Sequence, residues 1–181
     1  EFGEIPNKLK LINCVGGGSS AYGFWSEFFD YDKKNVELIG VEAGGPRNSK
    51  LHAAPLSKNS KIAILHGAAA YCVQDSDGQI DETDSCSSGL DYPSTSPIHC
   101  YLKDLGRARY TFATDEEAFS AYKLVTDLED ISPSLEPSHS FAEAIKIAPK
   151  LDSSNIIVVN SCGDSLKDKD IIKKRLGSYS R

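Results

Sequence analysis

Apolar positions along the chain fall into short continuous runs and into longer stretches with helical spacing. Residues 9–15 (LKLINCV) and 36–43 (VELIGVEA) are short apolar runs that end at glycines, which predicts two buried strands. Residues 20–29 lie between them, carry a strongly aromatic face and predict a helix. A strand–helix–strand unit of this kind favours parallel pairing with a right-handed crossover.

The same alternation returns in the second half of the chain. Two strands and three helices are predicted there, at residues 109–114, 115–128, 138–148, 155–160 and 168–176. Thr114 and Glu117 have the spacing of a capping box at the start of the first of these helices. The strand at 155–160 (NIIVVN) is of the fully buried type. The whole pattern predicts an α/β fold, with an open, mostly parallel twisted sheet and helices on both faces in three layers.

The stretch from about residue 44 to 106 has a different character. It is rich in Ser, Gly, Asp and Pro, with short apolar islands such as KIAIL. We expect a long irregular segment here, of a kind that is usually functional within a compact domain. Residues 1–181 as a whole are expected to form a single domain, since this length suits one sizeable core.

The composition and net charge of the chain disfavour some classes of binding partner. The chain is 40% hydrophobic and 25% charged, with a net charge of −6, which disfavours nucleic acid or an anionic membrane surface as the main partner. No apolar run approaches the roughly 18 residues of a membrane-spanning helix. Five cysteines without a C-x-x-C pair favour reduced thiols in a cytoplasmic protein. The chain lacks methionine and begins with Glu1, so we expect a piece of a longer protein, or a native chain that lost a leader.

A glycine- and serine-rich turn follows the first predicted strand. Gly16, Gly17 and Gly18 allow a ligand to approach the backbone closely, and Ser19 and Ser20 add hydroxyl donors. Unpaired amides at the start of a helix attract anions, so a phosphate is the natural guest. Ligands of open α/β sheets bind beyond the carboxyl ends of the strands, where both this turn and the later SCGDS segment are expected.

Two other interpretations of the turn remain open from the residues alone. The run from Gly16 to Ala21 also satisfies G-x-G-x-x-G/A, the dinucleotide fingerprint, and Glu42 ends the second strand near where a ribose-binding acid would stand. A tight turn without any ligand is the third interpretation.

A succession of longer motifs distinguishes among these interpretations. They are, in chain order, CVGGGSSAYG, IGVEAGG, HAAPL, DGQIDETDSCSSGLDYPSTSPIHCYLKDLGRARY, DEEAF, PSLEPSHSFAEAIK and IIVVNSCGDSLKDKDI. Over essentially its whole length the chain resembles the β subunit family of tryptophan synthase, in the fold-type-II group of pyridoxal-phosphate enzymes. The resemblance implies the carboxyl-terminal domain of a larger two-domain enzyme, without the amino-terminal domain.

The resemblance also implies a set of cofactor-binding residues. For pyridoxal 5'-phosphate these are Gly16, Gly17, Gly18, Ser19, Ser20, Glu136 and Cys162. The turn would hold the phosphate, Glu136 would lie beside the ring, and Cys162 would stand where the family places a serine on the ring nitrogen. A neutral partner there leaves the nitrogen unprotonated. Ser20 replaces the family's asparagine, which changes reach and geometry at the phosphate.

Further roles come from the same resemblance. Asp91 and Glu136 are the implied catalytic residues, with Asp91 recognising the amino-acid substrate, although its local sequence equally suits an Asx turn. The backbone carbonyls of Gly16, Tyr92 and Ser94 match a site for a monovalent cation, Na or K.

Two of the four histidines, His52 and His99, match positions of the family, and neither is assigned a role in proton transfer. His66 stands where the family commonly has an aromatic residue near the indole passage. His139, close to the start of a predicted helix, is expected to be structural rather than catalytic.

The chain contains no His-Lys pair, where the family carries its Schiff-base lysine. The lysines in charged runs, Lys33, Lys34, Lys167, Lys169, Lys173 and Lys174, are expected on solvated faces. We therefore expect this chain to be inactive alone and to expose apolar surface that favours self-association.

For the full-length enzyme the resemblance implies the joining of L-serine and indole to give L-tryptophan. Its implied partners are a second β subunit and a tryptophan synthase α subunit or domain. A serine or threonine dehydratase-like pyridoxal-phosphate lyase, suggested by Cys162, and a non-catalytic dinucleotide-binding domain are the alternatives.

Overall fold

The computed structural model describes residues 8–177, and its core is a parallel sheet of four strands. The strands of the described residues are β1 (Leu9–Cys14), β2 (Val36–Ala43), β3 (Lys61–Leu65), β4 (Ala68–Cys72), β5 (Ala108–Ala113) and β6 (Ile156–Val159). The α-helices are α1 (Ser19–Trp25), α2 (Pro97–Asp104), α3 (Asp115–Glu129), α4 (Leu135–Ile147) and α5 (Lys169–Leu176). The sheet order is β5-β2-β1-β6 with every pair parallel, which confirms the predicted α/β fold.

Side chains of the central strands alternate between the two faces of the sheet, as the pleat requires. Leu11 and Leu38 pack on one face against α1 and α2, where Trp25 is fully buried. Ile12 and Ile39 pack on the opposite face against α3 and α4. The near-continuous apolar sequence of β1 and β2 follows from this burial on both sides.

The helices of the second face have well-defined starts. The Thr114 side chain accepts a hydrogen bond from the Glu117 amide, and the Glu117 carboxylate accepts one from the Thr114 amide, so the predicted capping box is confirmed. Helix α4 begins at Leu135, three residues earlier than predicted. Pro137 is tolerated there because the first-turn amides have no partner within the helix. The Leu135 amide instead donates to Asp168 at 2.7 Å.

The prediction of a wholly irregular segment at 44–106 is wrong in part. It contains the antiparallel hairpin of β3 and β4 and also helix α2. His66 and Gly67 connect the two strands with φ of 50° and 79°, the positive values that tight hairpin turns need. A His-Gly pair is a weaker turn signal than Asn-Gly, which is why the pattern of the sequence did not reveal the hairpin.

Strand β6 is half-buried rather than fully buried as predicted, because within the described residues it is an edge strand of the sheet. The helix predicted at 20–29 is shorter, with α1 followed by a 3-10 turn at Ser26–Phe28. Two further 3-10 turns, Ala148–Lys150 and Ser165–Asp168, precede β6 and α5. Among residues 8–177, no helix is both long and apolar enough to cross a membrane.

Candidate functional site

The glycine turn lies at the carboxyl edge of the sheet, between the end of β1 and the start of α1. Gly18 is the N-cap of α1 with φ of 93°, and no side chain caps the first turn of the helix. Gly17 and Ser19 are exposed. The first amides of α1 therefore face solvent without a side-chain acceptor, which is the arrangement that binds anions.

The three glycines of the turn differ in whether the fold requires them. A Cβ on Gly18 would lie 2.1 Å from the imidazole of His99, and a Cβ on Gly16 would lie 3.0 Å from the Gly89 carbonyl oxygen. A Cβ on Gly17 would meet nothing within 4 Å, and its φ is outside the left-handed region. Packing thus explains Gly16 and Gly18, whereas the fold itself makes no demand for glycine at position 17.

The side chain of His99 fixes the backbone of the glycine turn. Its Nε2 lies 2.7 Å from the Gly18 carbonyl oxygen and its Nδ1 lies 2.8 Å from the Tyr110 hydroxyl. Burial lowers the pKa of His99, so the ring is neutral and serves to fix the backbone.

Ser20 connects the turn to the strands beneath it. Its hydroxyl oxygen accepts hydrogen bonds from the side-chain amides of Asn13 and Asn160, each at 3.2 Å. The two asparagines come from the ends of β1 and β6, which are neighbours in the sheet. Ser20 is thus held by two asparagine side chains from neighbouring strands.

Cys162 lies beside this group, and its partner is a second thiol. The Cys14 and Cys162 sulfur atoms are 3.6 Å apart, and both cysteines are free. Their hydrogen bond lowers the pKa of Cys162, while the same contact and burial raise the pKa of Cys14. Cys162 is therefore the thiol of the pair that ionises first.

Glu136 is buried in the first turn of α4 and faces the same edge. Its Oε1 accepts a hydrogen bond from the Gly89 amide at 3.1 Å and contacts the ammonium group of Lys167. Burial is the largest single influence and favours the neutral acid, but the hydrogen bonds from Lys167, Ser134 and the backbone together outweigh it and lower the pKa of Glu136 to about 2. Its Oε2 is buried and makes no hydrogen bond with the described residues. Lys167 is exposed, as expected of a solvated face, and its ammonium group also lies between Glu136 and Asp168.

The segment that carries Asp91, Tyr92 and Ser94 borders the turn. The Ser96 amide donates to the Gly17 carbonyl at 3.2 Å, which ties this segment to the turn. Asp91 is exposed, and its carboxylate makes no hydrogen bond with any described residue, so the Asx-turn alternative is not seen. Ser94 is buried.

His66 lies on the hairpin and stacks on Tyr92. The ring centroids are 5.8 Å apart at an angle of 16°, and the His66 Nδ1 lies 2.8 Å from the Tyr92 hydroxyl. This pair links the tip of the hairpin to the segment beside the turn.

Glu42 does not stand where a ribose could reach it. It is fully buried and accepts hydrogen bonds from the Leu56 and Ser57 amides at 3.0 and 2.6 Å, and from the Ser57 hydroxyl. Burial raises its pKa to about 7 despite these bonds. Glu42 therefore cannot serve as the ribose-binding acid of the dinucleotide interpretation, because its carboxylate is buried and bonded to Leu56 and Ser57.

The structure thus brings together the glycine turn, Cys162 and Glu136 at one edge of the sheet, with Asp91 at the rim. Sequence reasoning missed Cys14, the two asparagines and Lys167 as members of this group. Cys14 and Cys162 are 148 residues apart, and only the pairing of β1 with β6 makes them neighbours.

Comparisons with known proteins agree with this picture at the level of the fold. The chain matches an L-serine ammonia-lyase from the fungus Rhizomucor miehei with a TM-score of 0.60 at 17% identity, over 98% of this chain and 51% of that one. No protein-family model matches the sequence. The chain therefore shares the fold of that protein, in agreement with the predicted α/β architecture.

The sequence relatives are more specific. The chain is 44% identical over 175 residues to the tryptophan synthase beta chain of Rhodopseudomonas palustris (strain TIE-1), covering 97% of this chain and 42% of that protein. It is 46% identical over 162 residues to that of Chromobacterium violaceum, covering 89% of this chain and 40% of that protein. The chain belongs to the tryptophan synthase beta family, and it spans about two fifths of the length of these relatives.

Proposed function

We propose that this chain is the carboxyl-terminal, cofactor-binding domain of a tryptophan synthase beta chain. In the full-length enzyme it would act in the replacement reaction that joins L-serine and indole into L-tryptophan. Identity of 44% across 97% of the chain supports this proposal, and coverage of 42% of the relative supports a larger enzyme of which this is one domain.

The observation that carries the proposal is the unexplained glycine at position 17. Neither packing nor backbone conformation requires it, and it lies among uncapped amides at an exposed helix start. Close approach of a phosphate to the main chain is the remaining reason for a residue without a Cβ. The amides of Gly16, Gly17 and Gly18, with the hydroxyls of Ser19 and Ser20, would hold the phosphate of pyridoxal 5'-phosphate.

When bound, the cofactor supplies an electron sink for bonds at the α-carbon of the amino acid. The chain contributes two prepared groups beside the ring. Lys167, with the other hydrogen bonds to the carboxylate, keeps Glu136 ionised despite its burial, so a fixed negative charge would face the cofactor. Cys162 would meet the ring nitrogen with its thiol held by Cys14.

Substrate and cation would be held at the rim. The Asp91 carboxylate makes no hydrogen bond with the described residues and would recognise the amino-acid substrate as the site closes. The carbonyls of Gly16, Tyr92 and Ser94 would bind Na or K, since backbone oxygens suit a hard cation. The stacked pair of His66 and Tyr92 would border the path of indole.

Partners and cellular context follow from the same family. A second β subunit and a tryptophan synthase α subunit or domain would complete the assembly, in the cytoplasm. The Schiff-base lysine would come from polypeptide that this chain does not include, so the chain alone would bind the cofactor without turning over substrate.

A binding experiment with a matched pair of glycine variants tests the proposal. Titration of pyridoxal 5'-phosphate into the chain is followed by quenching of the single tryptophan, Trp25, in the helix after the turn. We expect Gly17→Val to weaken binding at least about tenfold, the cost of one lost charge-assisted hydrogen bond, with Tm unchanged. Gly23→Ala is the control, because a Cβ there also meets nothing within 4 Å. Equal affinity in Gly17→Val and in the unaltered chain would refute the phosphate site.

An activity assay tests the reaction itself. The full-length protein with L-serine, indole and cofactor should release tryptophan, while the isolated chain should release none above the free cofactor. Pyruvate from L-serine as the main product of the full-length protein would instead favour the dehydratase alternative that Cys162 suggests.

A further inference from the structure

A second cluster of reactive side chains lies away from the glycine turn. Cys86, Asp115 and His139 each place one ligand-type atom within 4.8 Å of the others. Cys86 precedes the Gly89 segment, Asp115 is the first residue of α3, and His139 lies in α4. Three separate parts of the chain therefore converge on one point.

His139 presents an unused nitrogen to this point. The residue is fully buried, and its Nδ1 lies 2.7 Å from the Leu135 carbonyl oxygen, to which it donates. Its Nε2 is buried and makes no hydrogen bond within the described residues. A histidine whose Nδ1 donates to a backbone carbonyl has its Nε2 lone pair oriented as in metal-binding histidines. A buried acceptor without a donor is costly unless something occupies the position in front of it.

Asp115 and Cys86 complete the donor set. The Asp115 Oδ1 accepts a hydrogen bond from the Cys86 amide at 3.1 Å, which fixes the two residues against each other. A carboxylate has about four acceptor positions, so this bond leaves capacity for a metal. Cys86 is half-buried and lines a cavity of about 300 Å³ together with Asp115, Pro46 and Phe119. The cavity gives an ion and a water molecule a route to the cluster.

The electrostatic surroundings favour a cation. Asp84 faces Asp115, Asp168 faces Cys86, and Glu117 and Glu136 face His139 closely enough to influence their ionisation. Lys174 and Arg175 lie on the cavity wall, and Arg175 pairs with Glu116 at 3.2 Å. Lys167 pairs with Glu136 and Asp168, and Lys146 pairs with Glu117. Among the described residues, Asp84 and Asp115 are the carboxylates of this group that form no ion pair, so a negative charge remains at the cluster.

We propose that Cys86, Asp115 and His139 bind a zinc ion, with the fourth coordination position open to water from the cavity. One sulfur, one oxygen and one imidazole nitrogen form a donor set that zinc accepts in tetrahedral sites. Ligand atoms about 2.0–2.3 Å from a tetrahedral zinc are about 3.4 Å apart, so the cluster closes by shifts of about 1 Å. Binding replaces the S–H bond of Cys86 by an S–Zn bond and releases the proton to solvent.

The ion would act as a structural link. It would join the segment before Gly89 to α3 and to α4, and α4 also carries Glu136. The site is separate from the glycine turn, so its test does not depend on the cofactor.

Cobalt substitution tests the proposal on the 181-residue chain without a histidine tag. Addition of Co²⁺ should give one bound ion per chain, with a thiolate-to-cobalt charge-transfer band and the visible bands of a tetrahedral site. Zn²⁺ should displace it and raise Tm. Cys86→Ser and Asp115→Asn should each remove the charge-transfer band or weaken zinc binding at least about 100-fold, as loss of a ligand exceeds the usual effect of losing an outer partner.

Two other cysteines supply the controls. Cys100→Ser, at a half-buried thiol outside the cluster, should leave the cobalt spectrum unchanged. Cys14→Ala tests the competing pair of thiols near the glycine turn. The proposal is overturned if the band survives Cys86→Ser, and its disappearance in Cys14→Ala would then place the metal at the other pair of thiols. It is also overturned if the folded chain binds no cobalt. If Cys86→Ser fails to fold, as judged by circular dichroism, the zinc affinity of Asp115→Asn is measured instead. An affinity equal to that of the unaltered chain would then overturn the proposal.

Discussion

The central sheet and the β3–β4 hairpin both contain isoleucines, but the sheet buries these side chains and the hairpin exposes them. In the sheet, Ile12 and Ile39 are fully buried between helices on both faces. In the hairpin, Ile62 and Ile64 are 64% and 77% exposed. Both sets come from short apolar runs that look alike in the sequence.

The difference shows that an apolar run determines what a strand can bury, but not whether anything covers it. Parallel strands require crossover connections, and the helices of those connections cover both faces of the sheet. A hairpin closes through a two-residue turn and brings no covering element with it. The exposed isoleucines of the hairpin are therefore the surface on which the expected self-association would depend.

The largest change in the free energy of unfolding should come from truncating Trp25, which is buried between the sheet and helices α1 and α2. Trp25→Ala should lower the free energy of unfolding by about 3–5 kcal/mol, because it deletes a fully buried indole that packs against β1 and β2. Denaturant unfolding followed by circular dichroism measures the change. Tyr101→Ala is the control on a side chain that is 59% exposed, and it should cost under about 0.5 kcal/mol. Equal costs in the two variants would remove the contrast between buried and exposed positions.

The dependence of the free energy of unfolding on pH should distinguish Glu42, buried in β2, from acids at the surface. The pKa of Glu42 is raised to about 7 in the folded protein, above its ordinary value of 4.5, so the folded state binds the extra proton. This contribution to stability is complete below pH 4.5 and is lost as the pH rises through about 7. A difference of this size corresponds to about 3 kcal/mol.

Glu42→Gln isolates that contribution. The variant cannot ionise, so its free energy of unfolding should fall much less than that of the unaltered chain between pH 5 and pH 8. Gln loses one acceptor for the Ser57 amide, so the variant should be less stable at the lower pH. Parallel pH profiles in the two proteins would mean that Glu42 does not titrate in this range.

The smallest effect on stability should come from the hairpin itself. Ile64→Thr should change the free energy of unfolding by under about 0.5 kcal/mol, because the side chain is 77% exposed. Concentration-dependent association, measured by sedimentation, should weaken in the same variant. Ile39→Val, inside the sheet, is the matched change and should cost about 0.5–1.5 kcal/mol without altering association. A loss above about 1 kcal/mol in Ile64→Thr would show that the hairpin face is packed.

The sequence predicted best where a local pattern and its burial agree. Strand β2 was predicted with its observed bounds, and the capping box of α3 was read from Thr114 and Glu117 alone. Prediction failed where position in the sheet overrides the pattern. The apolar run of β6 gives no sign that the strand lies at an edge, and His66–Gly67 gives only a weak sign of a hairpin.

The candidate sites show the same division between local and long-range information. Glu42 was a plausible ribose acid by spacing, and only the packing of Leu56 and Ser57 against it removed that role. Cys86, Asp115 and His139 lie far apart in the chain, and no motif joins them.

By itself, the sequence determined the alternating strands and helices, the glycine turn at the carboxyl end of the first strand, and membership in the tryptophan synthase beta family. These features depend on residues close together in the chain or on motifs in a given order. Only the tertiary structure decided that Cys14 contacts Cys162 and that Lys167 pairs with Glu136. It also decided that Glu42 is buried and that three distant residues converge at the start of α3. The physical reason is that strand order and helix packing bring distant residues together, and burial then sets the charge of each group.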